Sequence, residues 1–250
     1  MPYGICDLSV VPLRLEPSDD SLLISQILYG EVFRILDSRK KWSRIKLADD
    51  GCEGWIDNKQ FQDFPKDLYK STSKDRINIS LNLVDFVKDL SSNELCTIVL
   101  GSHLNSLEFL NHSFEGKSTI PNSIKANIVE SAFYYLNTPY LQGGKTPFGI
   151  DAAGFTQMAY KLNGYKLYRD AAQQSTQGIP LSFIEESEAG DLAFFDDSEG
   201  QIIHVGIIMD DNYIIHSDGK VRIDRLDHSG IYNAEKGIHT HKLRVIKKIV

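Results

Sequence analysis

Cysteine is scarce in this sequence, and the few cysteines are far apart. Cys6, Cys52 and Cys96 are the only three in 250 residues, and no two of them have the C-x-x-C spacing of a zinc or redox motif. The sequence therefore predicts neither a disulfide framework nor a zinc site. We expect three reduced thiols with structural roles.

Long apolar runs and an excess of positive charge are also lacking. No apolar stretch approaches the roughly 20 residues that a membrane helix needs, and the start Met1-Pro2-Tyr3 lacks the basic and apolar regions of a signal peptide. We therefore expect a cytoplasmic protein without a membrane partner, or a periplasmic one if a leader was removed. The net charge of −7 disfavours a nucleic-acid partner, because binding to phosphates usually requires a basic patch.

The first 64 residues alternate short β-type segments with polar turns. SVVPLRLEP, KWSRIKLA and GCEGWIDNKQF are typical strands, and short strands between polar turns predict a small barrel. Their order resembles a bacterial SH3-like (SH3b) domain, in which a pair such as Gly30-Glu31 enters one strand and a pair such as Gly54-Trp55 enters another.

Residues 65–120 predict a charged connector followed by a second, degenerate SH3-like β module. The connector covers residues 65–76, and the module is built from SLNLVDFVKDL, ELCTIVLGSHL and SLEFLNHSFEG. The first of these three segments fits a helix nearly as well as a strand.

From residue 121 the pattern changes to helices followed by strands. PNSIKANIVESAFYYLNTPY has apolar residues at helical spacing, with Asn122 or Ser123 as N-cap, and a second helix is predicted from Asp151 to Leu162. Five strands follow: DLAFFD, IIHVGIIM, YIIHSD, VRID and HKLRVIKKIV. This order predicts an α+β domain over residues 121–250, with helices packed on one face of an antiparallel sheet.

His204 and His216 flank a predicted hairpin turn at residues 210–212. The two-residue period of a strand places both side chains on one face of the sheet, close to each other. Two such imidazoles can act as a base and the group that orients it. The alternative is two half-buried histidines, each bonded to a backbone carbonyl.

The helix predicted after GGKTPFGI begins at a position suited to a nucleophile. Asp151 is a preferred N-cap, so residue 152 lies in the first turn, near the free backbone N–H groups and the positive end of the helix dipole. A cysteine there would have a lowered pKa and would react as a thiolate. The chain instead has alanine at positions 152 and 153.

Several motifs of this half of the chain occur in the order typical of the NlpC/p60 cysteine peptidases, which have a papain-like fold. They are Gly143-Gly144, Phe148-Gly149-Ile150-Asp151, Gly154-Phe155, Gly190-Asp191-Leu192, His204-Val205-Gly206 and Ile215-His216. The resemblance implies that Ala152 replaces the nucleophilic cysteine. It also implies that His204 is the general base and His216 its orienting partner. Tyr140 matches the tyrosine of the family's Tyr-x-x-Gly-Gly stretch and would contact the substrate carbonyl or its oxyanion, or else simply pack before a turn.

An SH3-like module before such a domain is similar to the γ-D-glutamyl-L-diamino acid endopeptidases. The resemblance implies a murein tripeptide or tetrapeptide substrate with a free N-terminal L-alanine, and no cofactor or metal. Asp170 would bind the substrate ammonium group, with the N-cap of a short helix as its other interpretation. Glu31 would add a second carboxylate from the SH3-like module. Asp151 and Ala153 complete the predicted substrate-binding set.

Alanine cannot form a thiolate, so the chain as written is expected to be inactive. Either a native cysteine was changed to alanine to trap substrate, or the protein is a natural pseudoenzyme that binds wall peptide. The presence of both histidines together with Asp151, Tyr140 and Asp170 favours the first explanation.

Two other classes of function remain open. One is an SH3-like adaptor that binds peptides through Trp42 and Trp55. The other is metal-assisted hydrolysis by His239 and His241, whose His-x-His spacing on a strand suits a metal, although the sequence identifies no third ligand.

Overall fold

The structure, a computed structural model, describes residues 2–73 and 76–250. The chain divides into two units. Unit 1 comprises Met1–Asn122 and Gln142–Pro147, and unit 2 comprises Ser123–Leu141 and Phe148–Val250. Among the described residues, no helix is both long and apolar enough to cross a membrane.

Unit 1 consists mainly of short antiparallel strands. Its strands are β1 (Tyr3–Ile5), β2 (Val10–Arg14), β3 (Leu23–Leu28), β4 (Val32–Ser38), β5 (Trp42–Leu47), β6 (Glu53–Asp57), β7 (Gln62–Asp63), β8 (Ile79–Ser80), β9 (Val84–Asp89), β10 (Leu95–Val99), β11 (His112–Phe114), β12 (Ser118–Thr119) and β13 (Lys145–Thr146). Its helices are α1 (Lys66–Thr72) and α2 (Leu107–Leu110). The first seven strands form one sheet in the order β3-β2-β6-β5-β4-β1-β7.

The predicted barrel strands are confirmed. Because successive side chains of a strand point to opposite faces of the sheet, every second residue can enter the core. In β2 every second residue is buried, which places Val11 and Leu13 in the core and leaves their neighbours partly exposed. The turn between β3 and β4 requires glycine at position 30, because its φ is +77° and a Cβ there would lie 2.0 Å from the carbonyl oxygen of His103.

The region after the barrel differs in part from the prediction. Within the predicted connector 65–76, residues 66–72 form α1, while residues 74 and 75, like residue 1, lie outside the described residues. SLNLVDFVKDL contains strand β9 and not a helix, whereas SLEFLNHSFEG begins with the short helix α2. The strand prediction failed there because Leu107 and Leu110, three residues apart, both pack on the core through a single helical turn.

Unit 2 places helices before a mainly antiparallel sheet. Its helices are α3 (Ile128–Phe133), α4 (Ala152–Lys161) and α5 (Ala171–Gln174). Its strands are β14 (Gly149–Ile150), β15 (Ile179–Leu181), β16 (Leu192–Asp196), β17 (Ile202–Met209), β18 (Tyr213–Asp218), β19 (Lys220–Asp227), β20 (Gly230–Asn233) and β21 (Ile238–Lys248). Neither Asn122 nor Ser123 caps α3, since a 3₁₀ turn at Lys125–Asn127 precedes it and its N-cap is Asn127.

The sheet of unit 2 closes on itself through its last strand. Its order is β15-β21-β16-β17-β18-β19-β20, and β21 pairs with β20 as well as with β16. Helix α4 packs against β17 and β18. The α+β description therefore fits only loosely, because strands predominate and the sheet is curled into a barrel. The predicted domain boundaries 1–64, 65–120 and 121–250 stay a prediction.

Candidate functional site

The start of α4 is held by a buried carboxylate. Asp151 is its N-cap, as predicted, and its Oδ1 accepts a 2.6 Å hydrogen bond from the Gly154 N–H. The guanidinium of Arg169 donates to both carboxylate oxygens, at 3.0 and 2.8 Å. Both side chains are buried, so this ion pair fixes the orientation of the first helical turn.

Ala152 and Ala153 are the first two residues of α4, and each is 7% exposed. A buried glutamine secures this turn, since the Gln174 amide donates to the Ala153 carbonyl at 2.9 Å and its Oε1 accepts from Thr156 at 2.8 Å. The position predicted for the nucleophile is therefore the first residue of a firmly capped helix.

The backbone of Tyr140 lies beside the segment that leads into this helix. It forms a parallel bridge with Ile150, and the Leu141 N–H donates to the Ile150 carbonyl at 3.2 Å. The Tyr140 side chain is 43% exposed, and partial burial together with the Asp151 carboxylate raises its pKa. The phenol consequently keeps its proton at neutral pH.

Strand β18 is tied to the same segment. The hydroxyl of Ser217 donates to the carbonyl of Ile150 at 3.0 Å, and both groups are buried. Since Ser217 follows His216, this bond links the strand that carries a predicted catalytic histidine to the segment that leads into α4.

The two histidines meet as the sequence predicts. In the register of β17 and β18, Gly206 is opposite His216, so His204 is the diagonal neighbour of His216 on the same face. His204 Nε2 lies 2.9 Å from His216 Nδ1, and both rings are buried. A Cβ on Gly206 would lie 2.7 Å from Ile214 Cδ1 and 2.9 Å from His216 Cβ, so the Gly of the His-Val-Gly motif leaves space for the side chains of β18.

Asp224 extends this pair, and the sequence analysis missed it. Its Oδ2 lies 3.0 Å from His216 Nε2, and Arg222 donates to both of its oxygens. Burial alone would raise the pKa of Asp224, but the hydrogen bonds from His216 and Arg222 outweigh burial and lower it. The two-residue alternation of VRIDRLD was the available signal, because it places Asp224 on the face of His216 once β18 and β19 are paired.

The ionised Asp224 determines which nitrogens carry protons. A carboxylate only accepts hydrogen bonds, so His216 Nε2 is the donor to Asp224, and in the tautomer with its single proton there, His216 Nδ1 is an acceptor. His204 Nε2 must then donate to it, which leaves the Nδ1 lone pair of His204 to act as a base. Burial, followed by the neighbouring His216 and His241, keeps the pKa of His204 well below its usual value.

His241 is a third histidine at this cluster. Its ring stacks on that of His204 with centroids 4.1 Å apart, and it comes from β21, the strand that closes the sheet. His239 lies apart from the cluster and pairs with Asp227 at 2.8 Å. The two residues of the His-x-His stretch therefore do not act together, in contrast to the metal hypothesis of the sequence analysis.

The predicted substrate-binding carboxylates lie in different surroundings. Asp170 is exposed and caps α5 by accepting from the Gln173 N–H at 2.9 Å, as its alternative interpretation predicted. Glu31 is buried in unit 1, where Lys145 Nζ lies 3.5 Å from one oxygen and the Leu28 N–H donates to the other at 3.0 Å. The substrate contacts of Asp151, Ala153, Asp170 and Glu31 stay predictions.

The two tryptophans of the adaptor hypothesis also differ. Trp55 is 7% exposed, and the guanidinium of Arg39 lies over its ring, 4.3 Å from the centroid. Trp42 is half-buried and borders a 500 Å³ surface cavity in unit 1. Only Trp42 is therefore positioned to offer part of its ring to a peptide.

The lowered pKa of His204 predicts acid sensitivity. In the unfolded chain the imidazole binds a proton below about pH 6.5, whereas the folded chain keeps it neutral, so stability is complete above that pH and is lost as the pH falls below it. Between pH 7 and pH 5 the free energy of unfolding of the parent chain should fall by about 2 kcal/mol more than that of the His204→Asn variant. Urea unfolding at both pH values measures this difference. His228→Gln, at an exposed histidine, should keep the full loss, and an equal loss in all three proteins would contradict the prediction.

These features define a class of protein: a papain-like arrangement of a capped helix start and a buried histidine pair, with alanine at position 152, where the sequence predicts a cysteine nucleophile. Comparison with known proteins agrees. The family model described as "NlpC/P60 family" matches residues 137–239, and that described as "Bacterial dipeptidyl-peptidase Sh3 domain" matches residues 13–61. This chain therefore contains an NlpC/P60 domain preceded by a bacterial SH3 domain, which confirms the resemblance seen in the sequence.

Individual relatives span both domains. The chain is 25% identical over 230 residues to the gamma-D-glutamyl-L-lysine dipeptidyl-peptidase of Bacillus subtilis, covering 82% of this chain and 75% of that protein. It is 28% identical over 252 residues to dipeptidyl-peptidase 6 of Lysinibacillus sphaericus, covering 86% and 88%. The crystal structure of an NlpC/P60 family protein from Bacillus cereus superimposes with a TM-score of 0.78 over 99% of both chains, at 17% identity, and shows the same fold.

Proposed function

We propose that this protein is a peptidoglycan-peptide hydrolase of the γ-D-glutamyl-diamino acid type that, with alanine at position 152, binds its peptide without cleaving it. The observation that carries the proposal is the hydrogen bond between His204 and His216, continued to Asp224. A neutral, oriented imidazole of this kind is the base that a cysteine nucleophile needs. The relative named gamma-D-glutamyl-L-lysine dipeptidyl-peptidase supports the choice of peptide.

The chemistry with a cysteine at position 152 follows from the proton positions. His204 Nδ1 takes the thiol proton while sulfur attacks the γ-carbonyl carbon of D-glutamate, and His216 with Asp224 stabilises the resulting imidazolium. The C–N bond then breaks as His204 returns the proton to the leaving amine. Water, deprotonated by the same imidazole, hydrolyses the thioester. The Tyr140 hydroxyl would donate to the developing oxyanion.

Alanine at position 152 removes only the attacking atom. The cap by Asp151, the bridge from Ile150 to Tyr140 and the histidine pair are unaffected by the missing thiol. Peptide binding does not require that thiol, so the chain should form a stable complex. Whether the alanine is natural or introduced does not alter this expectation.

We expect L-Ala-γ-D-Glu-L-Lys, or its diaminopimelate counterpart, to bind this chain and to lose affinity when its N-terminus is acetylated. Because a charge-assisted hydrogen bond is involved, the loss should be about 10- to 100-fold. Asp170→Asn should cause a similar loss while preserving the helix cap, since asparagine caps a helix as well as aspartate does. Isothermal titration calorimetry measures both effects.

Asp197→Asn is the matched control, because Asp197 is a partly exposed aspartate that, like Asp170, accepts hydrogen bonds from backbone N–H groups. Its variant should bind the peptide like the parent. Equal binding of free and acetylated peptides would refute the role of Asp170, and no binding of either peptide would refute the proposed function.

A further inference from the structure

Three imidazoles converge where the sheet of unit 2 closes. One ring nitrogen from each of His204, His216 and His241 lies within 4.8 Å of the corresponding nitrogens of the other two. They come from β17, β18 and β21, and β21 reaches the other two because it pairs with both β16 and β20 and so closes the sheet. The peptidase chemistry described above uses His204 and His216 and gives His241 no role.

We propose that His204, His216 and His241 bind a divalent transition metal, with Zn²⁺ as the expected ion, and that metal binding there removes the base that hydrolysis requires. Imidazole nitrogen is a preferred ligand of Zn²⁺, and three histidines with a water molecule form a common tetrahedral set. Tetrahedral bonds of about 2.0–2.1 Å place ligand nitrogens about 3.3 Å apart. The observed separations, 2.9 Å for one pair and at most 4.8 Å for the others, require small ring rotations.

The surrounding groups suit such a site. His216 would bind through Nδ1 while its Nε2–H stays on Asp224, the carboxylate–histidine arrangement that orients zinc ligands. The Nδ1 of His241 lies 2.9 Å from the hydroxyl of Thr240, which leaves Nε2 as its ligand atom.

Metal binding and the base function exclude each other at His204. Its Nε2 donates a hydrogen bond to His216, so binding metal through Nε2 requires that proton to move to Nδ1. No net proton is released from the ring, but Nδ1 then lacks the lone pair that would accept a thiol proton. This consequence rests on the proposed function, whereas metal binding itself does not.

The test is titration of the complete, chelator-treated chain with Zn²⁺ alone by calorimetry, and with Co²⁺ alone by absorption spectroscopy. We expect one ion per chain and a tetrahedral Co²⁺ spectrum without a thiolate charge-transfer band. His241→Gln should weaken Zn²⁺ binding by at least about 100-fold and Asp224→Asn by about 10- to 100-fold. His239→Gln, which removes the other histidine of the same stretch, should have no effect.

Several results would overturn the proposal. They are the absence of Zn²⁺ binding by the parent, equal binding by parent and His241→Gln, or equal weakening by His239→Gln and His241→Gln. A thiolate band would locate the ion at a cysteine. Loss of binding in His103→Gln would locate it at the second cluster of ligand-type side chains, Glu31, Asp49 and His103. Circular dichroism of His241→Gln verifies that the variant is folded. Failure to bind any peptide would refute the proposed function and leave this result standing.

Discussion

Ala152→Cys is expected to turn this chain into an active peptidase. The parent should release no product from L-Ala-γ-D-Glu-diamino acid peptides, and the variant should cleave them at least about 10⁴-fold faster. The thiol would occupy the first residue of a helix capped by Asp151, where the free N–H groups favour a thiolate. His204 and His216, the proposed base and its proposed orienting partner, are already hydrogen-bonded to each other. Mass spectrometry of the released L-Ala-γ-D-Glu measures the effect.

Two controls make this result specific. Ala153→Cys adds the same thiol one residue further along α4, rotated by about 100° around the helix axis, and should remain inactive. Ala152→Cys combined with His204→Ala should also be inactive, because the base is gone. Activity of the Ala153→Cys protein equal to that of Ala152→Cys would contradict the assignment of position 152. An inactive Ala152→Cys protein that still binds the peptide would contradict the catalytic arrangement.

Arg169→Met is expected to lower the free energy of unfolding by about 3–5 kcal/mol. The substitution removes the guanidinium that makes two hydrogen bonds to the buried carboxylate of Asp151, at 3.0 and 2.8 Å. Asp151 also caps α4, so its negative charge would remain in the protein interior without this cation. Chemical unfolding in urea, followed by a probe in unit 2, measures the loss.

Charge, and not the size of the side chain, should account for this loss. Adding Asp151→Asn to Arg169→Met should recover much of the stability, because asparagine keeps the cap without the charge. Arg44→Met, which breaks the exposed pair of Arg44 with Glu53, should cost less than about 1 kcal/mol. A similar small loss for Arg169→Met would show that the Asp151 charge is adequately stabilised by other groups.

Much of the site could be predicted from local sequence signals. The N-cap at Asp151, the helix over DAAGFTQMAYK and the hairpin between β17 and β18 follow from patterns of a few residues. The pairing of His204 with His216 follows from the two-residue period of that hairpin, since its turn fixes the register. These contacts span short stretches of chain, in which backbone geometry leaves few alternatives.

Other parts of the site depend on contacts that no local pattern encodes. His241 reaches His204 only because β21 closes the sheet, and the bond from Ser217 to Ile150 joins groups 67 residues apart. Arg169 reaches Asp151 across 18 residues from an irregular segment before α5.

The sequence by itself thus determined the capped helix and the histidine hairpin, because each lies within one or two neighbouring elements. The tertiary structure alone decided which buried charges compensate one another and which third histidine joins the pair. Those partners are selected by how the sheet curls and by the cost of burying charge without a counter-ion, and both depend on the packing of the whole unit.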